Sequence, residues 1–257
     1  MAHIDFQTLA HLDHEQPSGE LHWESASDTH VGRVRHINED AYFDASELNI
    51  WAVADGMGGM GRGDYASKAV IKALMHFAWQ GGICASLANL EEKLIDAHYT
   101  CQTAFRNKKP GSTVAALMTK DHYCFFLWAG DSRIYRLRDG LLEQLTRDHS
   151  LAQQKVDQGL LSPEEAVNHP SAHKLTRAIG ANRELKLDLG FSPTQAGDRF
   201  LVCSDGLYNH VSDEEIQSYL GQNTPAATLG AMIDRALDCG GRDNITAIVV
   251  EASEPTN

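Results

Sequence analysis

Short apolar runs alternate along the chain with longer stretches whose hydrophobic residues recur at helical spacing. The run at 50–54 is short and continuous, which is typical of a strand covered on both faces. It passes through Asp55 into glycines between residues 56 and 61, which allow a tight turn. Helical spacing then predicts two helices at about 64–79 and 86–106. The chain thus delivers one carboxylate from a buried strand onto a glycine-rich turn.

From residue 112 onward the pattern predicts mainly strands, followed by a pair of helices before the last strand. A polar segment at about 146–180 is longer than an ordinary connection, which indicates a functional flap. Adjacent strands with helices gathered in pairs favour an α+β sandwich of antiparallel sheets. The predicted strands lie at about 112–119, 123–129, 133–137, 141–145, 185–189, 199–203 and 245–251, and the predicted helices at about 150–159, 162–167, 213–220 and 226–238.

Length and composition allow a sizeable core, because 42% of the 257 residues are hydrophobic. No linker or low-complexity tract divides the chain. We therefore expect one main domain at 23–252, an N-terminal extension at 1–22 and a short tail at 253–257. The extension is expected to be a mobile arm or an extra edge element.

Charge, hydropathy and cysteine content bear on the cellular location of the protein and on the classes of partner that it can bind. The formal net charge of −13 argues against nucleic acid, which needs a basic footprint. No apolar run reaches the roughly 20 residues that a membrane span needs, and the first residues lack the features of a signal peptide. Five cysteines without a C-x-x-C pair favour reduced thiols. These features predict a soluble cytoplasmic protein that binds neither nucleic acid nor membrane.

The segment 56–61 also fits G-x-G-x-x-G, the fingerprint of dinucleotide-binding folds. Asp55, however, would aim a carboxylate at the pyrophosphate, and no acidic residue lies about 20 positions further on, where the ribose partner is expected. The following helix also leads into another helical stretch and not into a parallel strand. The pattern therefore argues against a nucleotide cofactor.

Five aspartates lie next to predicted strand ends. Asp55, Asp131 and Asp205 each follow an apolar strand and have a glycine beside them, whereas Asp40 and Asp243 stand just before a strand. A single carboxylate in such a place is usually a turn former or a helix cap. Repetition at five places favours convergence at one edge of the sandwich, as an all-oxygen site.

Hard oxygen ligands without cysteine or clustered histidine favour Mg²⁺ or Mn²⁺. Two such ions about 3.5–4 Å apart, bridged by one carboxylate, can hold a hydroxide and clamp both oxygens of a phosphoryl displacement. Arg35 can supply a bidentate grip on the phosphate. The residues are thus consistent with chemistry on a phosphomonoester.

Nine segments follow one another along the chain in a recognisable order: VGRVRHINED, WAVADGMGG, GDYAS, GSTVAAL, WAGDSRIYRL, LTRDHS, HPSAHKLTRAIG, GDRFLVCSDGL and GGRDNITAIVV. In order and spacing, over about 25–250, they resemble the metal-dependent type 2C serine/threonine protein phosphatases, most closely the bacterial branch. The resemblance implies a four-layer αββα sandwich with the metals at one end, between two antiparallel sheets.

The resemblance also implies a set of metal ligands. Asp55 resembles the carboxylate that bridges both ions, and the carbonyl of Gly56 resembles a ligand of one of them. Asp205 and Asp243 resemble the remaining ligands of the other ion. Asp131 matches the position that bacterial members use for a third, weaker ion.

Other positions are expected to act on water or substrate. Glu39 and Asp40 resemble residues that act mainly through metal-bound water, and Arg35 resembles the phosphate-binding arginine. We expect Asp40, Asp55 and Arg35 to carry catalysis. The segment 146–180 resembles a flap that influences substrate choice.

Two methionines depart from the family pattern. Met57 stands where animal relatives place a histidine that is thought to protonate the leaving group, and Met60 stands where bacterial relatives usually have histidine. His36 and His149 are the nearest candidates for an acid, although each is expected to be structural.

The hypothesis is a protein phosphatase in bacterial signal transduction. A metal-bridging hydroxide attacks phosphoserine or phosphothreonine directly, without a phosphoenzyme, and the chain opposes a serine/threonine kinase by acting on that kinase and its substrates. Two alternatives are a non-catalytic phosphoprotein-binding scaffold and an enzyme for small phosphate esters. The full set of matched ligands disfavours the scaffold, and the long flap weakly favours a protein substrate.

Overall fold

The computed structural model describes residues 9, 11–12, 21–58, 62–105, 109–167 and 169–255. Its strands are β1 His22–His30, β2 Asp40–Ala45, β3 Ile50–Met57, β4 Gly111–Ser112, β5 Val114–Lys120, β6 Tyr123–Ala129, β7 Arg133–Arg138, β8 Leu141–Gln144, β9 Asp188–Pro193, β10 Arg199–Cys203 and β11 Ile245–Ser253. Its helices are α1 Arg62–Leu74, α2 Ile83–Ala104, α3 Leu151–Asp157, α4 Pro163–Val167, α5 Asp205–Tyr208, α6 Asp213–Leu220 and α7 Pro225–Asp238.

The strands form two antiparallel sheets. One has the order β1-β11-β10-β7-β8, and the other has the order β2-β3-β5-β6-β9 with β4 paired to β3. The first and last strands are neighbours, in register from His22 opposite Ser253 to His30 opposite Ile245. Residues from both ends of the chain therefore meet in one sheet.

Alternate residues of β3 face two different cores. Ile50, Ala52 and Ala54 pack into the core that β3 shares with α1 and α2, whereas Trp51 and Val53 belong to the core between the two sheets. All five side chains are fully buried. A strand covered on both faces reads as a continuous apolar run, so this prediction from the sequence is confirmed.

The helices α6 and α7 cover the outer face of the other sheet. Ile216 and Met232 pack there against Leu201 of β10 and Val249 of β11. Ser212 begins α6 with a reciprocal capping box to Glu215, which satisfies free backbone donors at the helix start. The layers follow the order helices, sheet, sheet, helices, which confirms the predicted αββα sandwich.

One predicted strand is wrong in position. The strand expected at 185–189 lies at Asp188–Pro193, because its ladder with β6 runs from Trp128 opposite Asp188 to Tyr123 opposite Pro193. Leu185 is buried in the helix-covered core without being part of a strand. The apolar character of Leu185 therefore indicates burial and not backbone pairing. Pro193 is tolerated at the end of β9 because β9 is an edge strand.

The first residues of the described chain contribute to the core. Leu9 and Leu12 are buried in the hydrophobic cluster that contains residues of α1 and α2. None of the helices in the described ranges combines the length and the hydrophobicity that a bilayer crossing requires.

The segment 146–180 carries α3 and α4 and is tied back to the sandwich at its end. Ser150 caps α3 by accepting a hydrogen bond from the Gln153 backbone. Ile179 and Ser112 exchange backbone hydrogen bonds of 2.8 and 3.0 Å. Because Ser112 pairs with Gly56 of β3, the root of the flap adjoins the end of the strand that carries Asp55.

Candidate metal centre

Asp40 and Asp55 stand directly opposite each other in the ladder between β2 and β3. Opposed carboxylates repel each other when both are charged. Burial and the charges of Asp40, Asp205, Asp131 and Asp243 raise the pKa of Asp55 well above its ordinary value. The same four residues that the sequence placed near strand ends therefore act on Asp55 electrostatically.

Asp40 begins β2 and is held by hydroxyl groups. Ser204 donates from Oγ to Oδ2 of Asp40 across 2.8 Å, and Ser204 Oγ also accepts from the Thr246 backbone across 3.1 Å. Burial, helped by the charges of Asp205 and Asp243, raises the pKa of Asp40 to about 7, although hydrogen bonds from the side chains of Thr246 and Ser204 act to lower it. The hydrogen bond from Ser204 therefore fixes the position of Asp40, but the hydrogen bonds offset only part of the free-energy cost of burying its charged form.

Asp131 follows β6 through Gly130, whose φ of +117° brings its backbone against Thr113. Thr113 Oγ1 accepts from the Asp55 backbone across 2.9 Å and lies 2.7 Å from Ser132 Oγ. Burial, followed by the charges of Asp205 and Asp148, raises the pKa of Asp131 to about 7. Thr113 thus links the turn that carries Asp131 to the strand that carries Asp55.

Asp205 and Asp243 approach the same point from the other sheet. Asp205 opens α5 two residues after the end of β10, and Asp243 lies two residues before β11. Oδ1 of Asp243 accepts from the Asn244 backbone across 2.9 Å, and Oδ2 accepts from Arg35 across 2.7 Å. The structure therefore brings all five predicted aspartates together at one end of the sandwich.

Arg35 lies on an exposed loop at the rim of this cluster. Its side chain is 53% exposed, and the hydrogen bond to Asp243 is the largest cause that raises its pKa. The charges of Asp205 and Glu39 act in the same direction. A solvent-facing guanidinium beside several carboxylates is free to turn toward an incoming phosphate.

Glu39 and Gly56 lie where β3 meets the start of α1. The Gly63 backbone donates to Oε1 of Glu39 across 3.0 Å, so this carboxylate stabilises the N-terminal end of the helix. A Cβ atom on Gly56 would lie 2.1 Å from the carbonyl oxygen of Gly63. Glycine is required at 56 because the two backbones touch, and one oxygen of Glu39 already has a structural partner.

Asn244 organises the loop between β1 and β2 and was missed from the sequence. Its Nδ2 donates to the carbonyls of Val31 and Ile37 across 2.9 and 3.1 Å, and its Oδ1 accepts from the Glu39 backbone across 2.8 Å. The side chain is almost fully buried. The signal was its place directly after Asp243 at the start of an apolar strand, since a buried amide must be hydrogen-bonded.

Both ring nitrogens and the ring face of His149 have structural contacts. Its Nδ1 accepts from the Gly130 backbone across 3.2 Å, its Nε2 lies 3.1 Å from Asp188, and its ring stacks on Trp128. His36 is exposed on the loop that carries Arg35. The sequence expectation that each has a structural role is supported for His149 by these contacts.

His173, whose role the sequence does not predict, reaches the cluster from the segment 146–180. Its Nδ1 lies 3.6 Å from Oδ2 of Asp205, and this contact is the main cause that raises the pKa of His173.

Met57 packs over Gly111, where an added Cβ would lie 3.3 Å from Met57 Cγ. Met60 lies outside the described residues.

The donor set fits divalent cations. Every predicted ligand offers oxygen, and burial together with mutual repulsion raises the carboxylate pKa values, which a bound cation would reverse. Within the described part of the chain, no three carboxylate, histidine or cysteine side chains form a cage around one ion. Mg²⁺ is usually bound by one or two carboxylates, and water molecules complete its coordination shell. A pair of these aspartates together with the Gly56 carbonyl would therefore be a suitable set of ligands for Mg²⁺.

Comparisons with known proteins agree with this fold. A family model described as protein phosphatase 2C matches residues 29–241. The chain is 37% identical over 225 residues to the serine/threonine protein phosphatase PstP of Mycobacterium tuberculosis, covering 86% of this chain and 43% of that protein. It is 35% identical over 240 residues to the serine/threonine phosphatase stp of Listeria monocytogenes, covering 87% and 93%.

A solved structure is similar over nearly the same length. The catalytic domain of PstP in complex with two manganese ions has a TM-score of 0.80 and 34% identity, over 91% of this chain and 100% of that chain. The sandwich is therefore of the type found in solved protein phosphatase structures. This chain belongs to the protein phosphatase 2C family, and it spans less than half the length of full PstP.

Proposed function

We propose that this chain is a Mn²⁺- or Mg²⁺-dependent protein serine/threonine phosphatase that hydrolyses phosphoserine and phosphothreonine directly, without a phosphoenzyme. The observation that carries the proposal is the convergence of five aspartates, from both sheets, at one end of the sandwich in a member of this family. The two manganese ions in the PstP catalytic domain support the same number here.

The metal ligands follow from position. Asp55, whose pKa is raised by the charges of the other four aspartates, would bridge two ions. The Gly56 carbonyl would be a further ligand of one of these ions. Asp205 and Asp243 would hold the second ion, with Asp131 available for a third. When bound, the ions supply positive charge to the phosphoryl group and activate the attacking water.

The remaining residues bind and orient. Arg35 exchanges its contact with Asp243 for the phosphate oxygens, because a guanidinium matches two of them at once. Asp40, fixed by the Ser204 hydroxyl, orients water at the edge of the centre, and Glu39 holds the start of α1 beside it. As the water oxygen bonds to phosphorus, the bond from phosphorus to the serine or threonine oxygen breaks, and the proton lost by the water is returned through solvent to the departing oxygen.

The substrates are phosphoserine and phosphothreonine proteins, and the opposing enzyme is a bacterial serine/threonine kinase, itself one of the substrates. The names of the relatives, which are serine/threonine phosphatases, support the substrate class. The kinase is inferred from the reaction alone, because phosphoserine and phosphothreonine must be made by a kinase. A cytoplasmic location is part of the proposal, supported by five cysteines that are all free thiols.

The test is hydrolysis of p-nitrophenyl phosphate and of a phosphothreonine peptide by the purified chain in EDTA, Mg²⁺ or Mn²⁺, beside Asp55→Ala. Turnover that needs a divalent ion and disappears in the variant supports the enzyme. The ratio of peptide to small ester separates a protein phosphatase from an esterase for small phosphates. A folded chain that releases no phosphate with any metal contradicts the proposal and favours a binding protein.

A further inference from the structure

The flap contains a cavity of about 420 Å³ between α3 and the turn that follows α4. Its walls include Leu151 and Lys155 on one side, and His169, Pro170, Ser171 and Lys174 on the other. The walls are held together because the Leu151 backbone donates to the Lys174 carbonyl across 2.9 Å and Ser150 pairs with Leu175. The cavity is thus a built feature of the flap.

The cavity is basic in an acidic protein. The chain has 35 acidic side chains against 22 lysines and arginines, yet none of the described residues that line these walls is a carboxylate. Nζ of Lys155 lies 3.3 Å from Nε2 of His169. Among the ion pairs of the described residues, neither Lys155 nor Lys174 has a carboxylate partner. Two lysines without an internal counterion complement an acidic ligand.

The cavity adjoins the metal centre through one short segment. His173, which lies 3.6 Å from Asp205, directly precedes Lys174 in the chain. An extended peptide advances roughly 3.3–3.6 Å per residue. A side chain a few positions from a phosphoresidue bound at the aspartates can therefore reach the cavity.

We propose that this cavity, which we call the flap pocket, binds an acidic side chain of the phosphoprotein substrate a few residues from the phosphoserine or phosphothreonine. Lys155 and Lys174 supply the charge, and Leu151 and Pro170 supply apolar contact to the stem of that side chain. This proposal rests on the proposed phosphatase function. It adds a preference for acidic sequence context around the phosphoresidue.

The test scans one glutamate through positions −4 to +4 of an otherwise neutral phosphothreonine peptide. For the wild type we expect kcat/KM to rise roughly twofold to fivefold at one or two positions, chiefly through KM, as for a partly exposed charge pair. Lys155→Met together with Lys174→Met keeps the apolar stems and should remove the preference. Hydrolysis of p-nitrophenyl phosphate, which cannot reach the pocket, should not change.

The control is Lys72→Met together with Lys186→Met, which removes the same charge from two exposed lysines that do not line the pocket. It should keep the glutamate preference. A wild type without any preferred position, or a preference that survives in the pocket variant, overturns the proposal. So does a wild-type oligomer that the pocket variant dissociates in sedimentation, because the occupant would then be a second copy of the chain.

A binding arm separates this proposal from the proposed function. Fluorescence anisotropy is measured with peptides that carry the non-hydrolysable phosphonate analogue of phosphothreonine, with glutamate or glutamine at the preferred position. If the chain hydrolyses nothing but binds the glutamate peptide better through the two lysines, the pocket stands and the enzyme assignment falls. If it hydrolyses both peptides equally and binds them equally, the enzyme stands and the pocket falls.

Discussion

Arg35 donates from Nη2 to Oδ2 of Asp243 across 2.7 Å, so the expected phosphate ligand is joined to an expected metal ligand. Both oxygens of Asp243 have protein partners, since Oδ1 accepts from the Asn244 backbone. A metal ion would compete with Arg35 for Asp243, and a phosphate group would compete with Asp243 for Arg35. We propose that an ion held by Asp243 would weaken this hydrogen bond and so leave Arg35 available to the substrate.

Replacing Arg35 by alanine should weaken substrate binding. One charged hydrogen-bonded contact contributes about 1.5–3 kcal/mol, so kcat/KM for a phosphopeptide should fall at least tenfold, mainly through KM. Steady-state kinetics with saturating Mn²⁺ measures this loss. The matched control is Arg33→Ala, since Arg33 is a nearby exposed arginine that contacts Leu237 and Asp238 instead. Equal losses in both variants would remove the specific role of Arg35.

Asn244→Ala should destabilise the loop that carries Arg35 and Glu39. The change leaves one buried backbone donor and two carbonyls without their partner, and we expect a loss of about 2–4 kcal/mol in unfolding free energy. Urea unfolding measures it. Asn89→Ala is the control, because Asn89 accepts one hydrogen bond at the surface and its loss should cost about 1 kcal/mol. A stability equal to wild type would show that the loop does not depend on Asn244.

Gly56→Ala should damage the centre through packing alone. The added methyl group would lie 2.1 Å from the Gly63 carbonyl and 2.4 Å from that of Glu39, and backbone atoms cannot yield cheaply. We expect lower thermal stability together with weaker Mn²⁺ binding. Gly230→Ala, in the middle of α7 with nothing near its Cβ position, should instead stabilise the protein by about 0.5–1 kcal/mol. Both variants are compared by thermal unfolding with and without Mn²⁺.

The metal-free protein should lose stability as pH rises from about 5 to 7.5. Asp40 and Asp131 have folded-state pKa values raised to about 7. Between the unfolded value and the folded value the native state binds more protons, so its stability falls as pH rises through this window. Mn²⁺ should restore the melting temperature more strongly at pH 7.5 than at pH 5, because binding displaces those protons.

Asp131→Asn gives the control for that pH dependence. It removes one titrating carboxyl and should flatten the fall of the metal-free melting temperature between pH 5 and 7.5. Thermal unfolding in EDTA across this range makes the comparison. A wild-type stability that rises over the window would contradict the raised pKa values.

The sequence predicted the parts that leave a local signature. The continuous apolar run of β3 reported a strand covered on both sides, and the aspartates beside glycines reported the ends of strands. Contacts between distant residues left no such signal. Neither the pairing of Arg35 with Asp243 nor the approach of His173 to Asp205 could be inferred, because the first depends on loop conformation and the second on how the flap folds back.

The position of β9 shows the same limit. Leu185 and Leu189 both pack on the helix-covered core, but the ladder begins only at Asp188 and continues to Pro193. Burial and backbone pairing coincide in a central strand and separate at an edge. Sequence patterns report the first of these more directly than the second.

A calorimetric titration of the metal-free wild type and Asp55→Asn with Mn²⁺ tests the metal centre most directly. We expect the wild type to bind two ions and Asp55→Asn, with an unchanged circular dichroism spectrum, to lose most of this binding. Asp55 faces the other four aspartates, so its charge should matter to both sites. A folded wild type that binds no Mn²⁺, or a variant that binds it equally well, would contradict a metal centre built around Asp55.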